Sequence, residues 1–361
     1  MNTLFTPTSY GSIHVKNRLV MAPMSRNRAT EYGVPTQMMA TYYGQRASTG
    51  LIVSEGIQPD VLGQGFINSP GLHSKEQVAG WRMVTDAVKK GGGKIVAQLM
   101  HCGRIGHPSL YPSAHQSIAP SALKAAGQTY TPAGMADFPM PKAMTKTDID
   151  LAIKGFAKAA KNAIEAGFDG VEIHAGNGFL LHQFMSSNAN QRTDEYGGGM
   201  ENRLRFTREV IAAVIAEIGA DKTGVRISPA NPYNDIQEDD TLEIYTALVE
   251  KLPILAYVHI MEANVRDVTE SLTKRLKSPL ILNPHCRAED GSVSGAIASD
   301  VLEKALCEGV AFGALFIANP DLVERIRDNG PLNQMDPSTL YGGDHKGYTD
   351  YPTLGEGEVA A

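Results

Sequence analysis

DIDLAIKGFAKAAKNAIEAGFDGVEIHAGNG, residues 148–178, contains one full unit of the fold. Apolar residues such as Ile149, Ile153, Phe156 and Ala160 recur at helical spacing over residues 148–166, which predicts an amphipathic helix. A short apolar run, 170–174, follows and predicts a strand. It ends in His174-Ala175-Gly176-Asn177-Gly178, where polar residues and glycines break it. The same unit recurs in both directions. Strands are expected at 19–22, 51–54, 94–99, 170–174, 224–228, 257–261, 280–283 and 310–316, with further helices at 201–218 and 300–308. Near-continuous apolar strands alternating with helices indicate a parallel sheet covered on both faces. Eight of them fit a closed (β/α)8 TIM barrel of the α/β class better than an open sheet.

Two stretches depart from the alternation. Residues 102–144 are rich in Pro, Ser, Ala and Gly and follow the third strand, so extra loop segments are expected over one barrel mouth. Residues 330–361 read as an irregular tail. With no repeat or linker in view, all of 1–361 is expected to form a single barrel domain.

Composition narrows the function. At 42% apolar and 20% charged residues, the 361-residue chain is ordinary for a globular protein with ample core. A net charge of −6 argues against a nucleic-acid partner, which calls for a basic face. Three dispersed cysteines (Cys102, Cys286, Cys307) exclude a cysteine-held zinc or iron–sulfur cluster and suggest a reducing compartment. The start, MNTLFTPTSYGS, lacks a signal-peptide pattern, and no apolar run is long enough to span a membrane. A cytoplasmic enzyme without membrane partners is the expectation.

Chemistry in such a barrel sits at the C-terminal strand ends. Unusual residues cluster there: Pro23, Met24 and Ser25, then Gly56, Gln98, His174 with Asn177, Arg226 and Gly313. His174 and Asn177, three residues apart in a turn, can aim two N–H donors at one substrate oxygen; a structural histidine and a turn asparagine would look the same. Arg226 interrupts an apolar strand, so it needs an anion. The anionic edge of a reduced flavin and a carboxylate inside the barrel are both open. Gln98 offers donor and acceptor together, suited to a pyrimidine edge, and a core-capping glutamine is the alternative. Ser25 can donate to a flavin O4 or merely satisfy its turn.

The block HAGNGFLLHQFMSSNANQRTDEYGGGMENRLRF from His174 closely resembles the signature of the Old Yellow Enzyme family. So do MAPMSRNRA from Met21, PGLHS from Pro70, AQLMHCGRI from Ala97, VRISP from Val225, FIANPDL from Phe316 and LYGGDHKGYTDYPTL from Leu340. These blocks span nearly the whole chain in family order, and the bacterial N-ethylmaleimide reductases are the branch they resemble. The resemblance implies non-covalent FMN over the barrel mouth, reduced by NADPH or NADH and reoxidised by an electron-poor alkene or nitro compound. It implies that His174 and Asn177 bind the activating oxygen. Ser25 would then tune the flavin, Gln98 and Arg226 would hold its pyrimidine side, and Pro23, Met24 and Gly56 would pack near the ring. Tyr341 would line the substrate pocket. A monomer or homodimer is expected.

The departures from the family pattern are specific. Phe179 stands where many relatives carry a proton-donating tyrosine, so an isomerase of activated alkenes is the alternative activity. Met100 and Phe66 replace a frequent Trp and Tyr, and a flexible thioether predicts a more adaptable pocket. At the phosphate end the usual Gly-Arg pair is Gly313-Ala314, with Arg287 expected to replace the charge and backbone N–H groups of Ala314 and Leu315 to assist. A flavin-free lyase would need a strand-end lysine or a metal set, and a silent flavin binder would not need the His174/Asn177 pair.

Overall fold

The computed structural model describes residues 3–111, 114–285 and 292–355. The chain opens with an antiparallel hairpin, β1 (Thr8–Tyr10) and β2 (Ile13–Val15). Strands β3 (Leu19–Met21), β4 (Leu51–Val53) and β5 (Ile95–Leu99) begin the barrel. Between β5 and the next barrel strand the chain forms β6 (Ile118–Ala119), the hairpin β7 (Gln128–Thr131)–β8 (Gly134–Asp137), and β9 (Lys142–Ala143). The barrel resumes with β10 (Gly170–Ala175), β11 (Thr223–Ile227), β12 (Tyr257–Met261), β13 (Leu280–Asn283) and β14 (Gly309–Phe312). All eight barrel strands are parallel, and β14 pairs with β3 to close the ring.

Side chains alternate along each strand, as the pleat requires. On β10, Val171, Ile173 and Ala175 join the core between barrel and helices, which leaves Glu172 and His174 on the inner face. On β11 the same division leaves Arg226 inside, between Val225 and Ile227. A separate inner core of Val20, Val53, Val96, Ile281 and Ala311 fills the lumen and is plugged from below by Tyr10 and Tyr257. Those rings meet edge to face at 5.7 Å. Gly309 makes room for them, since a Cβ there would lie 1.9 Å from the Tyr10 hydroxyl. Hydrophobic packing therefore closes the bottom and leaves polar inner residues at the top.

The helix predicted over 148–166 runs over Lys146–Glu165, because Thr145 and Asp148 form a capping box that starts it two residues earlier. The helix predicted over 201–218 runs over Met200–Ile218. Two expectations need correction. The helix placed at 300–308 lies over Gly295–Glu303: Ser294 caps it, and the chain must turn at Ala305 (φ 52°) to enter β14. Strand eight ends at Phe312 rather than 316, because Gly313 (ψ −96°) leaves the extended conformation and a helix, Ala314–Ala318, begins.

The irregular stretches converge on the mouth. The β7–β8 hairpin lies over it, and the tail is tied down by two arginines from the loop after β3. Arg26 donates to the carbonyls of Leu340 and Gly347, and Arg28 to those of Thr339 and Asp344. Among the described residues no helix is long and apolar enough to cross a membrane.

Candidate active site

A cavity of about 970 Å³ occupies the C-terminal mouth of the barrel, at the upper end of the range for small-molecule sites. Of the residues singled out in the sequence, Pro23, Ser25, Gly56, Phe66, Gln98, Met100, His174, Asn177, Phe179, Arg226 and Tyr341 all line it.

Its floor takes Gln98 from β5, His174 from β10 and Arg226 from β11, with β12 alongside. Parallel registers set Gln98 beside Glu172, and His174 beside Arg226 beside His259. Gln98 Nε2 donates to Glu172 Oε1 at 2.8 Å, and His259 Nδ1 lies 2.9 Å from Glu172 Oε2. Burial alone would raise the Glu172 carboxyl, but His259, Arg226 and the Gln98 amide outweigh it and hold it below the usual carboxylate range. Burial likewise pulls His259 below the ordinary histidine value. Geometrically, the Glu172 carboxylate accepts from the Nδ1 side of His259. Arg226 makes no ion pair within 4 Å among the described residues, and its buried Nε has no partner. A carboxylate, Glu172, does stand inside the barrel and acts on Arg226 through space, while Arg226 itself lines the cavity.

One wall comes from the turn after β10. Asn177 (φ 52°) and Gly178 (φ 74°) are consecutive left-handed residues, a geometry that Asn tolerates and Gly favours. A Cβ on Gly178 would lie 2.3 Å from the Tyr233 carbonyl. The turn is pinned on both sides. Asn177 N donates to Ser228 Oγ (2.7 Å), and Asn234 Nδ2 donates to the Asn177 carbonyl (2.6 Å). Gly178 N donates to His182 Nδ1, so the His182 proton lies on Nε2, 2.6 Å from Glu238. Two side-chain atoms of this wall, His174 Nδ1 and Asn177 Oδ1, are buried without partners. Burial, then the Arg226 charge, lowers His174 well below its ordinary value, so its imidazole is neutral.

The adjoining wall is apolar. Phe179 packs edge-on to Phe66 (6.2 Å, 88°) within a cluster that includes Met100 and Phe138. A Cβ on Gly56 would lie 2.3 Å from Met100 Cε, so this glycine admits the thioether into the mouth. Tyr130 and Met135 of the β7–β8 hairpin, Tyr233 and Tyr341 form the rim.

Three expected residues stand apart from this lining. Met24 packs against the outer core, and Gly313 and Ala314 lie beyond it, where β14 has already ended; a Cβ on Gly313 would lie 3.9 Å from Met24 Sδ. Arg287 lies outside the described residues. Sequence reasoning missed Glu172 and His259, although Glu172 precedes His174 by two residues and therefore shares its face. It also missed Asn27, Asn68, the hairpin residues and Tyr233–Asp235, which come from loops without periodicity.

Arg226, its buried Nε without a partner, lines a strand-end cavity with Gln98, His174 and Asn177, and FMN fits this set of polar groups and the cavity's size. A sequence profile of the NADH:flavin oxidoreductase / NADH oxidase family matches residues 3–333. The chain is 38% identical to a probable flavin mononucleotide-dependent alkene reductase of Leishmania infantum, over 98% of each chain. It is 38% identical to 12-oxophytodienoate reductase 1 of Oryza sativa subsp. japonica, over 98% of this chain and 93% of that one. Among solved structures, morphinone reductase in complex with tetrahydroNAD superposes with a TM-score of 0.91 at 39% identity, covering 98% of both chains. The Old Yellow Enzyme homologue of Zymomonas mobilis gives 0.91 at 37%, covering 98% of this chain and 100% of that one. The chain belongs to the NADH:flavin oxidoreductase / NADH oxidase family, as an Old Yellow Enzyme homologue. With the family come FMN, a nicotinamide reductant and alkene reductase activity.

Proposed function

We propose that this chain, acting as one barrel over residues 1–361, reduces enones, nitroalkenes and maleimides, and also nitro or nitrate-ester compounds, with NADPH or NADH. The observation that carries this reading is the His174/Asn177 pair, two polar side chains with unspent hydrogen-bonding capacity on one wall of the mouth. Bound FMN supplies the electron transfer between nicotinamide and alkene. The residues supply the rest. His174 and Asn177 bind the oxygen that activates the double bond, and the neutral imidazole donates without adding charge. Gln98 and Arg226 hold the pyrimidine side of the ring, and Ser25 meets its O4. Pro23 and Gly56 border the ring, while Phe66, Met100, Phe179 and Tyr341 shape the space for substrate. Backbone N–H groups of Ala314 and Leu315, with Arg287, are assigned to the phosphate.

Phe179 favours one second reading. It brings no hydroxyl to a wall of carbon and sulfur atoms, and an isomerase that returns its proton to the same substrate would not need one. The test of the primary reading is single-turnover reoxidation of the pre-reduced FMN protein by 2-cyclohexenone. His174→Ala and Asn177→Ala should each slow it by about 10²–10³-fold, as loss of one oxyanion donor does elsewhere, with FMN still bound. Unchanged rates would remove the pair from catalysis.

A further inference from the structure

Glu172 is fully buried inside the barrel, one layer below His174, and the chemistry above assigns it nothing. It accepts from Gln98 Nε2 at 2.8 Å and lies 2.9 Å from His259 Nδ1. A carboxylate only accepts, so each contact dictates the state of its partner. The Gln98 amide must turn its NH₂ inward and leave its carbonyl oxygen for the cavity that it lines. His259 must carry its proton on Nδ1, and its Nε2 faces no partner. The same negative charge acts on Arg226, whose strand neighbours in register are His174 and His259.

We propose that Glu172 is a positioning residue for the flavin. It fixes Gln98 with its carbonyl toward the pyrimidine N–H, and it offsets the Arg226 charge so that the oxidised ring is held without over-stabilising the anionic reduced form. The inference rests on FMN occupying this mouth, and FMN titration of the wild type tests that separately.

Two substitutions separate the roles. Glu172→Gln keeps the shape and removes the charge. Reduced FMN should then gain at least tenfold over oxidised FMN in relative affinity, a rise of about 30 mV in two-electron midpoint potential, read by dye-coupled reductive titration. Glu172→Asp keeps the charge and withdraws it from Gln98. Its potential should stay near wild type while its affinity for oxidised FMN, measured by fluorescence titration, falls about tenfold. Gln98→Met should cause a similar loss, and the double variant Glu172→Asp/Gln98→Met should lose no more than Gln98→Met alone. Should Glu172→Gln fail to fold, the Asp/Met cycle still decides the positioning role. An unchanged potential in folded Glu172→Gln overturns the charge role. Additive losses in the cycle, or full FMN affinity in Glu172→Asp, overturn the positioning role.

Discussion

Phe179→Tyr adds one hydroxyl to the wall of the mouth that Phe179 shares with Phe66, Met100 and Phe138. The Phe179 ring lies 5.3 Å from the His174 ring and packs edge-on to Phe66. Its neighbours in the cluster are Met100, Cys102, Ile105, Ala125 and Phe138, none of them a useful acid; burial pushes the Cys102 thiol well above its usual range. A well-placed general acid is worth about 10²–10⁴-fold. The same apolar surroundings disfavour the phenolate and weaken the acid, and solvent is the proposed donor in its place, so the gain falls below that range. Enone turnover should rise at least tenfold, corresponding to about 1.4 kcal/mol of barrier. The assay is steady-state NADPH- or NADH-dependent reduction of 2-cyclohexenone at matched FMN occupancy, with flavin reduction by nicotinamide as a control that should not move. Unchanged turnover in a folded, FMN-saturated variant would refute the argument that proton delivery limits this enzyme.

Three further outcomes follow from buried groups. Burial pushes the Glu55 carboxyl up to about 7, against hydrogen bonds from Arg26 N–H and the Tyr43 hydroxyl. Its native value exceeds its unfolded one, so its contribution to stability is fully present below about pH 4.5 and is lost as pH rises through about 7. The loss is about 3 kcal/mol, and in urea titrations at pH 4.5 and 8 Glu55→Gln should lack that component of the slope. Gly309→Ala would bring a methyl to 1.9 Å from the Tyr10 hydroxyl. It should cost about 1–3 kcal/mol by urea unfolding, less in a Tyr10→Phe background because that hydroxyl has no partner to lose. Met100→Trp should lower kcat/KM for bulky β-substituted enones at least tenfold relative to 2-cyclohexenone, and equal losses across a substrate panel would show that Met100 does not set pocket width.

The barrel was legible because its strands are short, apolar and buried on both faces, so each stands out between amphipathic helices. Boundaries slipped where capping rather than periodicity decides them, as at Thr145, Ser294 and Gly313. Strand-end residues of the site were legible for a related reason: Gln98, His174 and Arg226 are polar in apolar strands, and burial demands an explanation for them. Glu172 obeys the same rule and was within reach by its two-residue spacing from His174. The β7–β8 hairpin, Asn68 and Tyr233 were not legible, because tertiary packing rather than local pattern brings their loops over the mouth. Arg287, proposed for the phosphate, lies outside the described residues.

The most direct test of the account is anaerobic stopped-flow on the FMN-saturated protein, first mixed with NADPH or NADH and then with 2-cyclohexenone. The flavin bands should bleach with nicotinamide and recover rapidly on adding the enone, despite Phe179. Bleaching without recovery would contradict the assignment of His174 and Asn177 to enone activation, and absence of bleaching with FMN bound would contradict the nicotinamide-driven reductase itself.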